Sequence, residues 1–198
     1  MKSGIAVAVL LLLALATVAG AVESFGKKTV KLDDLDFSIE KAVKLEPEKK
    51  SYKTDFGRAN ILTNGGKIER TVTVSGKIRD GFNVEGEEFK VGTKVLDEVG
   101  TLGAFPISGT LNPCEADLYG PIFLNAGETL TVSLSWYPSD QPILLGFVDW
   151  DSGKVVAAWI ISGGSVTASF TPSTAGNYGV LIGNAGTQTI TYSGLVSW

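Results

Sequence analysis

Asp149-Trp150-Asp151-Ser152-Gly153 is the stretch whose residue types and spacing could do chemistry, because D-x-D-x-G is the spacing of calcium loops. Calcium takes about six to eight oxygens, and two carboxylates in one short turn supply few of them. Ile160, not glutamate, stands where an EF-hand loop would place its last ligand. Asp149 and Asp151 are therefore calcium candidates set against a plainer reading, a hairpin turn ended by glycine. Calcium is the one cofactor the sequence leaves possible.

The second group is aromatic. Trp136, Trp150 and Trp159, with Tyr137 and Trp198, are many large rings for one region. A flat row of exposed rings beside carboxylates would stack on sugars, so the three tryptophans are carbohydrate-binding candidates. Core packing is the competing reading: Trp136 ends an alternating buried face, and Trp159 follows Ala157-Ala158 in a run apolar on both faces. Glycosidase chemistry needs two carboxylates about 5 to 9 Å apart in a cleft. Glu115 with Asp117, or Asp149 with Asp151, meets no more of that than any acidic protein does.

The absences are sharper. The chain has no histidine, which excludes a Ser-His-Asp triad, a Cys-His dyad and histidine-ligated zinc. Cys114 is the single cysteine, so no intramolecular disulfide forms. A buried structural thiol and a disulfide between subunits are its two readings. There is no P-loop, dinucleotide fingerprint or nucleophile elbow. The protein reads as no enzyme.

The elements that would position these residues are strands. Leu130, Val132, Leu134 and Trp136 alternate with Thr131, Ser133 and Ser135, which marks a strand with one buried and one wet face. Around it, strands are expected at 107–111, 118–124, 143–150, 155–161, 166–170, 178–182 and 187–192. Turn clusters such as Pro138-Ser139-Asp140 and Asn184-Ala185-Gly186 separate them. Short strands at near-even spacing argue for an antiparallel sandwich of jelly-roll type over 104–198. Before it, 49–103 reads as a β-meander, with turns at Asn64-Gly65-Gly66 and Asp80-Gly81 and a boundary near Gly103. The whole is all-β.

Charge divides the chain at the same place. From Ala21 to Gly100 acids and bases balance at fifteen each, whereas after Gly100 there are six acids and one base, Lys154. No basic patch results, so nucleic acid is excluded as a partner.

Several segments of the second half resemble a known family. Ile107-Ser108-Gly109-Thr110-Leu111, then Ala126-Gly127-Glu128-Thr129-Leu130-Thr131-Val132, then Phe170-Thr171-Pro172 with Ala175-Gly176-Asn177-Tyr178 and Val180, is similar to the bacterial pre-peptidase C-terminal domain. The resemblance covers 106–198. It implies a secreted, non-catalytic β-sandwich that serves as an accessory module, in some cases aiding binding to polymers or cell surfaces. The Gly120-Pro121 step after Tyr119 departs from the family pattern, and no peptidase domain precedes the module.

The amino terminus has a leader pattern. Lys2 precedes the apolar run Ile5 to Ala19, and Ala19-Gly20-Ala21 offers a cleavage site after Ala21. A signal peptide of residues 1–21 is expected, with an uncleaved pilin-like helix or anchor as its rival. Cleavage leaves no stable membrane span and places the chain outside the cytoplasm. Residues 22–48 then form an extended arm in which Leu35, Phe37, Ile39, Val43 and Leu45 alternate with polar residues. That arm is either the first strand of the protein's own sheet or a strand donated to a neighbour, which head to tail would build a filament. The expected function is a secreted structural or cell-surface protein that self-assembles through the arm. The alternative is a polysaccharide- or surface-binding accessory module. The expected partners are thus copies of itself, or a cell-surface or polysaccharide ligand.

Overall fold

The computed structural model describes residues 48–76, 78–96 and 103–198. The leader and the arm positions Leu35, Phe37, Ile39, Val43 and Leu45 lie outside the described residues. The described residues form fourteen strands. They are β1 (Lys49–Thr54), β2 (Gly57–Thr63), β3 (Lys67–Thr71), β4 (Val74–Ser75), β5 (Phe82–Val84), β6 (Glu87–Val95), β7 (Ala104–Leu111), β8 (Glu115–Leu124), β9 (Leu130–Tyr137), β10 (Ile143–Asp149), β11 (Lys154–Ser162), β12 (Ser165–Pro172), β13 (Gly176–Asn184) and β14 (Ile190–Ser197). A six-stranded sheet has the order β1-β2-β12-β9-β14-β7, and an eight-stranded sheet the order β3-β11-β10-β13-β8-β6-β5-β4.

The protein is an all-β sandwich. Its principal core lies between the sheets and includes Phe147, Trp159, Phe170, Tyr178 and Val180. Alternation in β9 and β12 puts Leu130, Val132, Leu134, Val166, Ala168 and Phe170 on that inner side. The central strands of the larger sheet have no wet face. In β10, Ile143, Leu145 and Phe147 join the principal core, while Leu144 and Val148 join a second one on the opposite face. Burial on both faces is why β10 reads as a near-continuous apolar run.

The second core exists because the larger sheet rolls up. β3 and β4 stand at opposite ends of its strand order, which in a flat sheet would separate them by about 34 Å. Yet only Val72 and Thr73 lie between Thr71 and Val74, a span of roughly 11 Å at most. The two ends must therefore lie close together. Phe82 and Phe89, stacked at 5.0 Å, fill the roll with Ile78, Leu118 and Leu181.

Two expectations need correction. The stretch 49–103 is not one continuous meander: β1 pairs with β2, and β4, β5 and β6 pair in succession, but β2 also pairs with β12, β3 with β11 and β6 with β8, so sheets are shared across Gly103. The Asn64-Gly65-Gly66 turn carries the chain from one sheet to the other, because the strands on either side of it belong to different sheets. Within 104–198 every strand pair is antiparallel, as expected, and one parallel pair crosses the boundary, β6 beside β8 from Lys90↔Glu115 to Val95↔Gly120. Finally, the last strand begins at Ile190 rather than Thr187. The Gln141 side-chain oxygen accepts the Thr187 and Gln188 amides at 3.0 and 3.1 Å, and Asn184 donates to the Gln188 carbonyl at 2.7 Å, which holds 187–188 in a turn.

Shared sheets make the unfolding of 48–198 cooperative. Phe89→Ala, inside the roll, is expected to cost about 3–5 kcal/mol. Urea unfolding followed by circular dichroism and tryptophan fluorescence checks this: the midpoint falls and the two probes still coincide. Separate transitions would mean that the roll and the sandwich are independent units.

Candidate binding face

The outward side of the six-stranded sheet is built by alternation. Where Leu130, Val132, Leu134 and Trp136 point inward, Thr131, Ser133, Ser135 and Tyr137 point out. The same holds for Ser165, Thr167, Ser169 and Thr171 on β12, and for Thr191, Ser193, Leu195 and Ser197 on β14. β7 adds Ala104, Pro106, Ser108 and Thr110. None of these positions is charged, and most are Ser or Thr.

Strand register aligns them in rows. One row runs Thr167–Ser133–Leu195–Pro106, the next Ser165–Ser135–Ser193–Ser108, and the end row Tyr137–Thr191–Thr110. Neighbours along a row are about 4.8 Å apart and successive rows about 6.7 Å apart. Hydroxyl pairs fix the array: Ser133 with Thr167 at 3.2 Å, Thr129 with Thr171 at 2.8 Å and Thr110 with Thr191 at 3.4 Å. Tyr137, 76% exposed, closes one end of the face, and Leu195, 46% exposed, stands near its middle. Hydroxyls lose less than charges when water is removed, and each regains its bond from a polar partner.

The residues singled out in the sequence lie elsewhere and are not brought together. Asp149 accepts the Asp151 and Ser152 amides at 3.1 and 3.2 Å, and Asp151 accepts the Asn177 side-chain amide at 3.2 Å. Both carboxylates thus serve the β10–β11 turn. Among the described residues no three His, Cys, Asp or Glu side chains group as metal ligands. Trp136 is buried and its indole N–H donates to the Gln141 carbonyl at 2.8 Å. Trp159 is wholly buried against Tyr52 and Phe147. Neither ring is open to a sugar, which corrects the idea of an exposed aromatic row. Trp150 is half-buried and engaged: Arg79 lies over its ring at 4.8 Å, and the backbone at Gly120 and Gly179 stands so close that a Cβ there would meet the ring at 2.7 and 3.0 Å.

Cys114 sits half-exposed in the β7–β8 turn at φ 59°, and its thiol donates to Glu87 at 3.3 Å. Burial first, and Glu87 second, push that thiol up, away from the reactive thiolate. It is not the buried structural thiol of the plainer reading.

One buried polar cluster was not legible in the sequence. Tyr192 on β14 donates to Asp117 on β8 at 2.5 Å. The Tyr119 and Tyr192 hydroxyls also lie 2.5 Å apart, and the Ser108 carbonyl stands 3.2 Å from the Tyr119 oxygen. Since Tyr192 gives its proton to Asp117, Tyr119 is the donor between the two hydroxyls. Lys94 approaches the other Asp117 oxygen at 3.7 Å. Gly109 makes the room, because a Cβ there would stand 2.7 Å from the Tyr192 hydroxyl. With both of its oxygens engaged and 6% of its surface exposed, Asp117 ties the two sheets together.

No protein-family model matches the chain, and no curated protein matches it. Among solved structures it is similar to PliG of Aeromonas hydrophila, a periplasmic lysozyme inhibitor of g-type lysozyme. The identity is 13%, the TM-score 0.41, and the match covers 55% of this chain and 96% of that one. Among the described residues no helix is long and apolar enough to cross a membrane.

Two outcomes are expected here. Burial raises the Tyr192 and Tyr119 hydroxyls above the ordinary tyrosine value. The folded chain therefore keeps these protons above about pH 10, where unfolded tyrosines lose theirs. This contribution to stability is complete below pH 10 and declines as pH rises further. Tyr192→Phe should cost about 1–3 kcal/mol at pH 7 and flatten the alkaline decline, as read from urea midpoints between pH 7 and 11. Millimolar calcium should leave the melting temperature unchanged; a rise of several degrees would show that the Asp149–Asp151 turn opens to bind it.

Proposed function

We propose that the protein is an exported, non-catalytic binding module that lays the outward face of its six-stranded sheet on a polysaccharide. One observation carries this reading. Four adjacent strands, β7, β14, β9 and β12, present uncharged and mostly hydroxyl-bearing side chains in register. A polyhydroxyl polymer can exchange hydrogen bonds with such a face without stranding a charge, and Tyr137 offers one ring for stacking. The leader pattern supports export. The resemblance to pre-peptidase C-terminal domains supports an accessory role, and the segments that carry it fall on β7, β9, β12 and β13.

Self-assembly by strand donation has less support from the geometry. The six-stranded sheet ends in β1, which carries Lys49, Lys50 and Lys53, and in β7, which carries Pro106. Lysines and proline on an edge both hinder an added strand.

Retention on cellulose, chitin and starch granules tests the reading. The chain should stay with at least one of them. Ser133→Lys combined with Thr167→Lys should lower that affinity at least tenfold without changing the melting temperature by more than a few degrees. Tyr137→Ala should lower it by up to about tenfold, the scale of one aromatic contact. Full retention of the double variant would sink the proposal.

A further inference from the structure

The hydroxyl face changes character at its β1–β2 end. Lys53 and Arg58 are directly opposed in the antiparallel pair, and both point outward, because their neighbours Tyr52 and Ala59 pack inward. Like charges directly opposite each other across two strands destabilise the pair. Among the described residues neither cation forms an ion pair, those pairs being Lys50–Glu48, Arg70–Glu69, Arg70–Glu85 and Lys94–Asp117. The two cations flank a trough of about 560 Å³ that Asn60, Thr171 and Ser173 also line. Asp55 lines it too, which leaves an excess of one positive charge.

The trough is rigidly framed. Thr54 accepts the Gly57 and Phe56 amides at 3.1 and 3.3 Å, and both the amide and the hydroxyl of Ser173 donate to the Phe56 carbonyl at 2.9 and 3.0 Å. The chain as a whole carries a formal charge of −4, so the local excess of positive charge at this corner runs against the sign of the whole. Asn60 continues the row Ser169–Thr131 of the uncharged face, and Thr171 stands opposite Arg58 itself.

We propose that the polysaccharide taken by this face is acidic, and that one of its carboxylates is held between Lys53 and Arg58. This rests on the reading of the face as the binding surface. An anion between the two would turn their repulsion into two charge-assisted hydrogen bonds, while the neutral rows take the sugar hydroxyls on either side.

The test is affinity electrophoresis of the full chain in gels containing polygalacturonate, dextran sulfate or neutral dextran. Retardation by polygalacturonate is expected, weakened at least fivefold at 0.5 M salt, where charges are screened within about 4 Å. K53Q/R58Q should lose about tenfold in polygalacturonate affinity and keep whatever affinity the chain has for neutral polymers. Unchanged polygalacturonate binding by K53Q/R58Q overturns the trough and leaves the face reading standing. Loss in K53Q/R58Q with none in S133V/T167V, which removes the hydroxyls without adding charge, supports the trough and overturns the face. Binding to dextran sulfate alone overturns the carboxylate assignment, and no retardation in any gel overturns the acidic polysaccharide while the granule test still decides the face.

Discussion

The structure depends on a sheet whose central strands are dry on both sides. β10, β11 and β13 give alternate side chains to two cores, one beneath the six-stranded sheet and one inside the roll. A strand in that position must be covered twice, and the chain has two separate means of doing so. The six-stranded sheet closes one face. The excursion from β3 through β6 curls the sheet's own end over the other. Everything else is arranged around that double cover, including which strands have a solvent side left to present.

Because the larger sheet is spent on burial, the six-stranded sheet is the one with a free broad face. Its inner residues are fixed by packing, and its outer ones answer to solvent and to any partner. Natural sheet surfaces usually carry mixed charges that keep them soluble and discourage stacking. Four strands here dispense with charge and hold hydroxyls in rows, while the two amino-terminal strands carry lysine and arginine. The solubility of the chain then falls to the acidic loops and to the β1–β2 corner. The Asp117–Tyr192 contact between the sheets keeps the support of that face from shearing, since it joins β8 to β14 through a buried charge-assisted bond.

Much of the fold could be read from the chain, for physical reasons that also mark where reading stops. β9 was legible because one face is wet, so its residues alternate. β12 and β13 were legible because turn residues bound them. What partners each strand takes was not legible: β2 sits beside β12 because Ala59 and Ile61 fit the core under Phe170, and nothing local to β2 encodes a neighbour a hundred residues away. Thr187–Gln188 looked like strand until the Gln141 and Asn184 side chains claimed their backbone. The candidate face was half legible. Thr131, Ser133 and Ser135 read as a wet face, but only register shows that β12, β14 and β7 continue it. The tryptophans misled because a large ring is as valuable to a core as to a sugar site, and composition cannot separate the two uses.

The pairing of β1 and β2 with β12 has a consequence for the order in which the molecule is built. The hairpin at the start of the folded region has its inner neighbour more than a hundred residues downstream, and β7 waits in the same way for β14. Such distant pairing makes folding slow, because the loop must close before any contact rewards it. A chain emerging amino terminus first would hold Tyr52, Ala59 and Ile61 uncovered until its last third arrives. The topology itself thereby delays the native burial of those side chains until the partner strands exist.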